Sequence, residues 1–68
     1  MRYGTVLWFN DISGTGRIRA DEDGAYIGVS HKSILGQGYK ILDEGQRVSF
    51  DAVKCASGFE ARSVVVLD

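Results

Sequence analysis

The chain has 68 residues, with eight basic side chains against nine acidic ones for a formal charge of −1. That length suits one domain with a thin core, and the near-neutral balance excludes a general polyanion binder, so any nucleic-acid contact must come from a local patch. A single cysteine, Cys55, excludes an intrachain disulfide, and no apolar run approaches the roughly 20 residues a bilayer span needs.

In chain order, the pattern predicts strands and turns. Gly4–Asn10 reads as a first strand, with Val6 and Phe9 suited to a core. Trp8 has two readings there, as a cover for the core or as an exposed surface on which a nucleobase stacks. Gly14–Ala20 is a second strand, with Gly16, Ile18 and Ala20 on one face and Thr15, Arg17 and Arg19 on the other. Asp21-Glu22-Asp23-Gly24 is a turn by composition. Ala25–Ser30 is a third strand, Ile27 and Val29 facing one way and Tyr26, Gly28 and Ser30 the other; a one-residue slip would exchange Tyr26 and Ile27. His31–Leu42 carries Gly36 and Gly38 and supports no more than a turn at His31–Ile34. After the Glu44-Gly45 turn, Gln46–Val53 forms a fourth strand with Val48 and Phe50 inward, and Ala61–Leu67 a fifth. Five short strands with glycine-rich turns in so short a chain predict an all-β fold, a closed or nearly closed barrel, because closure removes unpaired edges.

Catalytic and metal chemistry lack their residue sets. Gly14-x-Gly16 has Arg19 where a dinucleotide fingerprint needs a third glycine, and no phosphate-binding Gly-Lys-Ser/Thr loop occurs. Ser30, His31 and Ser33 have no evident carboxylate to orient the imidazole. Asp21, Glu22 and Asp23 do not match a calcium loop, and Cys55 has no second thiol. The expectation is a protein without enzymatic activity, metal or cofactor. With no apolar signal segment after Met1-Arg2-Tyr3, the cytoplasm is the default compartment.

Three stretches carry a resemblance: Val6-Leu7-Trp8-Phe9-Asn10, Gly14-x-Gly16-x-Ile18 and Gly38-Tyr39-Lys40-Ile41-Leu42-Asp43-Glu44-Gly45-Gln46-Arg47-Val48-Ser49-Phe50. At these spacings the chain resembles a bacterial cold-shock protein over essentially its whole length. The resemblance implies a five-stranded antiparallel oligonucleotide-binding barrel, 1–68 forming one domain, that binds single-stranded RNA or DNA through an aromatic face on strands two and three. Strand one and the loop before strand four assist.

The departures from that family pattern concentrate on the binding face. Where the family reads K-G-F-G-F-I, this chain reads Ser13-Gly14-Thr15-Gly16-Arg17-Ile18. Where it reads V-F-V-H-F, this chain reads Ile27-Gly28-Val29-Ser30-His31, and the G-P-Q-A-like segment is Gly58-Phe59-Glu60-Ala61. Leu7 replaces the usual lysine before the tryptophan. Base–aromatic stacking contributes about 1–3 kcal/mol per base, so losing the platform aromatics removes several kcal/mol, on the order of a thousandfold in affinity.

The residues left to bind are Trp8, Phe9, Arg17, Arg19, Tyr26, His31, Tyr39 and Lys40. Each also has an ordinary reading. Phe9 suits the core, Tyr26 a cross-strand surface position, and His31 and Tyr39 local packing. Arg17 and Arg19 suit a solvated face paired with the acidic turn, and Lys40 suits solvent. Two functions follow: a weak, salt-sensitive single-strand binder acting as an RNA chaperone or regulator, or a cold-shock-like barrel turned to protein contact through Leu7, Trp8 and Phe59. The chain is expected to be monomeric and to have no membrane partner.

Overall fold

The computed structural model describes residues 1–36, 41–56 and 58–67. Its strands are β1 (Arg2–Asn10), β2 (Thr15–Ala20), β3 (Tyr26–Ser30), β4 (Arg47–Cys55) and β5 (Gly58–Leu67), with one 3-10 turn at His31–Ser33. They close into a barrel in the order β1-β2-β3-β5-β4, and β1 pairs back to β4.

The expected purely antiparallel barrel needs one correction. β3 and β5 run parallel, meeting at Gly28 and Glu60, while every other strand pair is antiparallel. The reason is arithmetic. Strand direction cannot alternate all the way round a ring with an odd number of strands, so a five-membered ring must contain a parallel neighbour pair.

Alternation places Ile18 and Ala20 of β2, Ile27 and Val29 of β3 and Val48 and Phe50 of β4 inside, where they join Val6, Ile34, Leu42, Ala61 and Val64 in one core. Phe50 is the largest fully buried side chain. The third-strand register follows the expected phase, with Ile27 buried and Tyr26 exposed.

β1 departs from simple alternation. Its register against β2 shifts between Val6, which opposes Ile18, and Trp8, which opposes Arg17. The extra residue is Leu7, and a bulge of this kind re-aims every side chain beyond it. Val6 and Trp8, two residues apart, would share a face in a regular strand; here Val6 is buried and Trp8 points out. Phe9 then turns inward opposite Gly16 and packs against the core. Gly16 is obligatory at that crossing, since a Cβ there would stand 2.7 Å from Phe9 Cδ1 and 2.9 Å from Phe9 Cα.

Local hydrogen bonds hold the β1–β2 and β2–β3 connections. Asn10 Oδ1 accepts from the Ile12 and Ser13 amides at 2.9 and 3.2 Å, and Gly14 N–H donates to the Asn10 carbonyl at 2.8 Å. Asp23 Oδ1 accepts from Ala25 N–H at 3.0 Å, while Gly24, at φ +72°, closes the expected turn by donating to the Ala20 carbonyl. β5 begins three residues before the expected Ala61, because Gly58 pairs with Cys55 in an antiparallel hairpin at φ +129°. That early start carries Phe59 and Glu60 into the sheet.

Candidate functional site

The outer face of β2 and β3 shows how strand register assembles a site. Trp8 on β1 opposes Arg17 on β2, Arg17 opposes Gly28 on β3, and Gly28 opposes Glu60 on β5. These residues form one row across four strands. Thr15 and Ser30 are paired on one side of it, Arg19 and Tyr26 on the other.

Gly28 stands between Arg17 and Glu60 in the row. A Cβ there would meet only the Phe59 carbonyl oxygen, 3.9 Å away. Gly28 lines a depression of about 430 Å³, together with Trp8, Arg17, Tyr26, Ser30, Phe59 and Glu60 among others. Three aromatics bound it with much of their surface in water: Trp8 49% exposed, Tyr26 64% and Phe59 49%. Exposed rings clustered about a concave, half-apolar surface are the arrangement on which unpaired bases stack.

The distribution of charge depends on which arginines meet the acidic turn. Arg47, arriving on β4, holds Asp21 with two hydrogen bonds, Nη1 to Oδ1 at 2.8 Å and Nη2 to Oδ2 at 2.5 Å. Arg2 of β1 lies 3.4 Å from Asp23 and 3.7 Å from Glu22. The Arg47 hydrogen bonds, assisted by the charges of Arg47 and Arg19, hold the Asp21 carboxyl below its usual value, and Asp21 in turn raises Arg47. The Ala25 amide, with help from Arg2, lowers Asp23.

At ion-pair distance the turn is met by Arg47 and Arg2, and Arg19 acts on Asp21 through its charge alone. Among the described residues, Arg17, Arg19 and Lys32 take part in no ion pair. Glu60 accepts a long hydrogen bond, 3.5 Å, from Arg62 through Oε1.

The structure brings Trp8, Arg17 and Tyr26 together at one depression. Arg19 points to the same outer face but lies near Gly24, in a separate hollow with Thr5, Leu7 and Asp21. Phe9 packs inward. His31 opens the 3-10 turn; its amide donates to the Gly14 carbonyl at 2.8 Å and its ring lies over Gly14, where any Cβ would collide with it. Gly14 is at φ +71°, so the position favours glycine twice over. Tyr39 and Lys40 lie outside the described residues. Phe59 and Glu60 are additions to the nucleic-acid site: the sequence marks both as part of a segment that departs from the family pattern, and Phe59 also as an apolar residue suited to protein contact. No group of three or more potential metal ligands occurs among the described residues, and no helix there is long and apolar enough to cross a membrane.

Residues 2–67 match the family described as the 'Cold-shock' DNA-binding domain. The chain belongs to the cold-shock domain family. It is 47% identical over 64 residues to the major cold shock protein CspA of Pseudomonas aeruginosa, covering 94% of this chain and 91% of that protein. It is 45% identical over 64 residues to cold shock protein CspC of Bacillus subtilis, covering 94% and 96%. Cold shock protein CspB of Bacillus caldolyticus is 43% identical over 67 residues, covering 98% of this chain and all of that one. A solved structure of Drosophila Unr CSD456 superposes with a TM-score of 0.80 at 21% identity, covering 98% of this chain and 26% of that chain, a likeness of fold. Cold-shock domains are in general nucleic-acid-binding domains and not enzymes.

Proposed function

We propose that this cold-shock domain binds single-stranded RNA or DNA on the outer face of β2 and β3, more weakly and with more salt sensitivity than a fully aromatic face would. The observation that carries this reading is the cross-strand row Trp8–Arg17–Gly28, with exposed Trp8, Tyr26 and Phe59 around it and Arg17 in no ion pair among the described residues. The aromatic rings supply stacking that tolerates any base. Arg17, Arg19 and Lys32 supply phosphate contacts, and these weaken as salt rises because counterions are no longer released at a gain.

Binding to unpaired strands favours the open form of an RNA hairpin by mass action and needs no ATP. The protein then acts as an RNA chaperone or regulator of expression, as a cytoplasmic monomer. The test is a stem-loop RNA carrying a fluorophore and a quencher at its ends. Signal should rise with protein concentration in the absence of ATP and saturate. A hairpin that stays closed at concentrations that saturate a linear strand would sink the chaperone role and leave simple binding. Protein contact is the second reading, favoured by the solvent-exposed Phe59 and Tyr26 rings; it gains if no single strand binds at all.

A further inference from the structure

Three departures from the family pattern, Arg17, Gly28 and Glu60, fall on one line of cross-strand neighbours. Resting on the single-strand reading above, we infer that this line forms a guanine-selective base pocket.

Three features of the line combine. Adjacent strands are about 4.8 Å apart, so Arg17 and Glu60 flank Gly28 with their Cα atoms about 10 Å from each other. Both side chains are exposed and both line the depression, as does Gly28 between them. With no ring at position 28, a base is not held up on a platform but enters between the Trp8 and Phe59 rims. The volume, about 430 Å³, falls within the roughly 300–1,000 Å³ range of small-molecule sites.

The polar groups facing a base there are complementary to one another. Arg17 presents a fork of N–H donors, which matches the O6 and N7 acceptors of guanine. Glu60 presents carboxylate acceptors, which match the N1–H and N2–H donors on the adjoining edge of the same base. Of the four bases, guanine alone offers two acceptors and two donors on adjoining edges in this way. Adenine gives Arg17 one acceptor and cytosine gives Glu60 one donor group. A carboxylate is otherwise unfavourable on a surface that meets a polyanion, and a base-edge contact gives Glu60 a role. Glu60 is available for it: only Oε1 takes the 3.5 Å bond from Arg62, and with Glu60 half exposed and Arg62 more than half exposed the pair is weakly held.

The test titrates Trp8 fluorescence with thymidine hexamers carrying one central dG, dI, dA or dC, alongside the all-thymidine hexamer, at fixed low salt. The dG hexamer should bind about 10-fold more tightly than the dA hexamer, with dI, which lacks the 2-amino group, between them. Glu60→Gln and Arg17→Lys should each draw the dG to dA ratio toward one. Equal affinities for all hexamers would overturn the guanine pocket and leave single-strand binding standing. A dG preference untouched by both substitutions would also overturn it. No binding by any hexamer would overturn the pocket together with the reading beneath it.

Discussion

Replacing Gly28 with phenylalanine puts an aromatic ring back at the centre of the cross-strand row. The backbone accepts it, since the added Cβ meets only the Phe59 carbonyl oxygen at ordinary contact distance, 3.9 Å, and Gly28 is not among the glycines with positive φ. The ring would project into the depression between Trp8, Arg17 and Phe59. One restored stacking contact contributes about 1–3 kcal/mol, or roughly 5- to 150-fold in affinity. Removing a glycine from a strand interior should add about 0.5–1 kcal/mol of stability, which raises Tm by about 2–8 °C in a domain of this size. Titration of Trp8 fluorescence with an all-thymidine hexamer reads the affinity, and thermal melting followed by circular dichroism reads the stability. The same ring fills the guanine pocket, so the dG preference should fall as general affinity rises. A folded Gly28→Phe protein that binds the hexamer no better than the parent would refute the placement of bases on this face.

Further outcomes follow from the same geometry. Arg17→Ala should lower the salt dependence of binding, reducing the slope of log K against log salt by about 0.7 for one lost phosphate contact on a single strand; a slope unchanged within error would remove Arg17 from the phosphate path. Gly16→Ala forces a methyl group against Phe9 and the β1 backbone and should cost about 1–3 kcal/mol as overpacking, seen as a Tm drop of about 4–8 °C for each kcal/mol. An unchanged Tm would mean that β1 and β2 separate easily at this crossing. Asp21 and Asp23 have depressed folded-state pKa values. Their contribution to stability is therefore present above the unfolded carboxylate value and is lost as pH falls through the folded values. Thermal melts between pH 5 and pH 2 should show Tm falling with acid, and Asp21→Asn should flatten part of that fall. An identical acid profile for the variant would contradict the role given to the Asp21–Arg47 pair.

Much of the barrel was legible because period-2 burial is a local signal. Ile18, Ile27, Val29, Val48 and Phe50 all lie inside where alternation put them. The acidic turn was equally readable, since Asp-Gly supplies its own geometry. The site was less readable because its parts depend on breaks in alternation and on strands far apart in sequence. The Leu7 bulge separates Trp8 from Val6, and no propensity marks it. Phe59 and Glu60 join the site only because β5 starts at Gly58 and runs parallel to β3. The partners of the acidic turn, Arg2 and Arg47, reach it from 21 and 26 positions away, contacts that no local pattern marks. Phe9 is half-buried against the core and the exposed His31 has its ring over Gly14, placements set by the β1 bulge and by the 3-10 turn that no local pattern marks.

The most direct test of a mixed aromatic and ionic single-strand interface is the fluorescence of Trp8, the only tryptophan, titrated with a mixed-sequence single-stranded oligonucleotide at 50 mM and then 200 mM salt. With two or three phosphate contacts, affinity should fall about 7- to 18-fold across that range, from saturable quenching in the micromolar regime at the lower salt. A complex whose affinity is indifferent to salt would contradict the ionic share of the interface. No quenching, joined to no shift in a mobility assay, would contradict nucleic-acid binding by this face altogether.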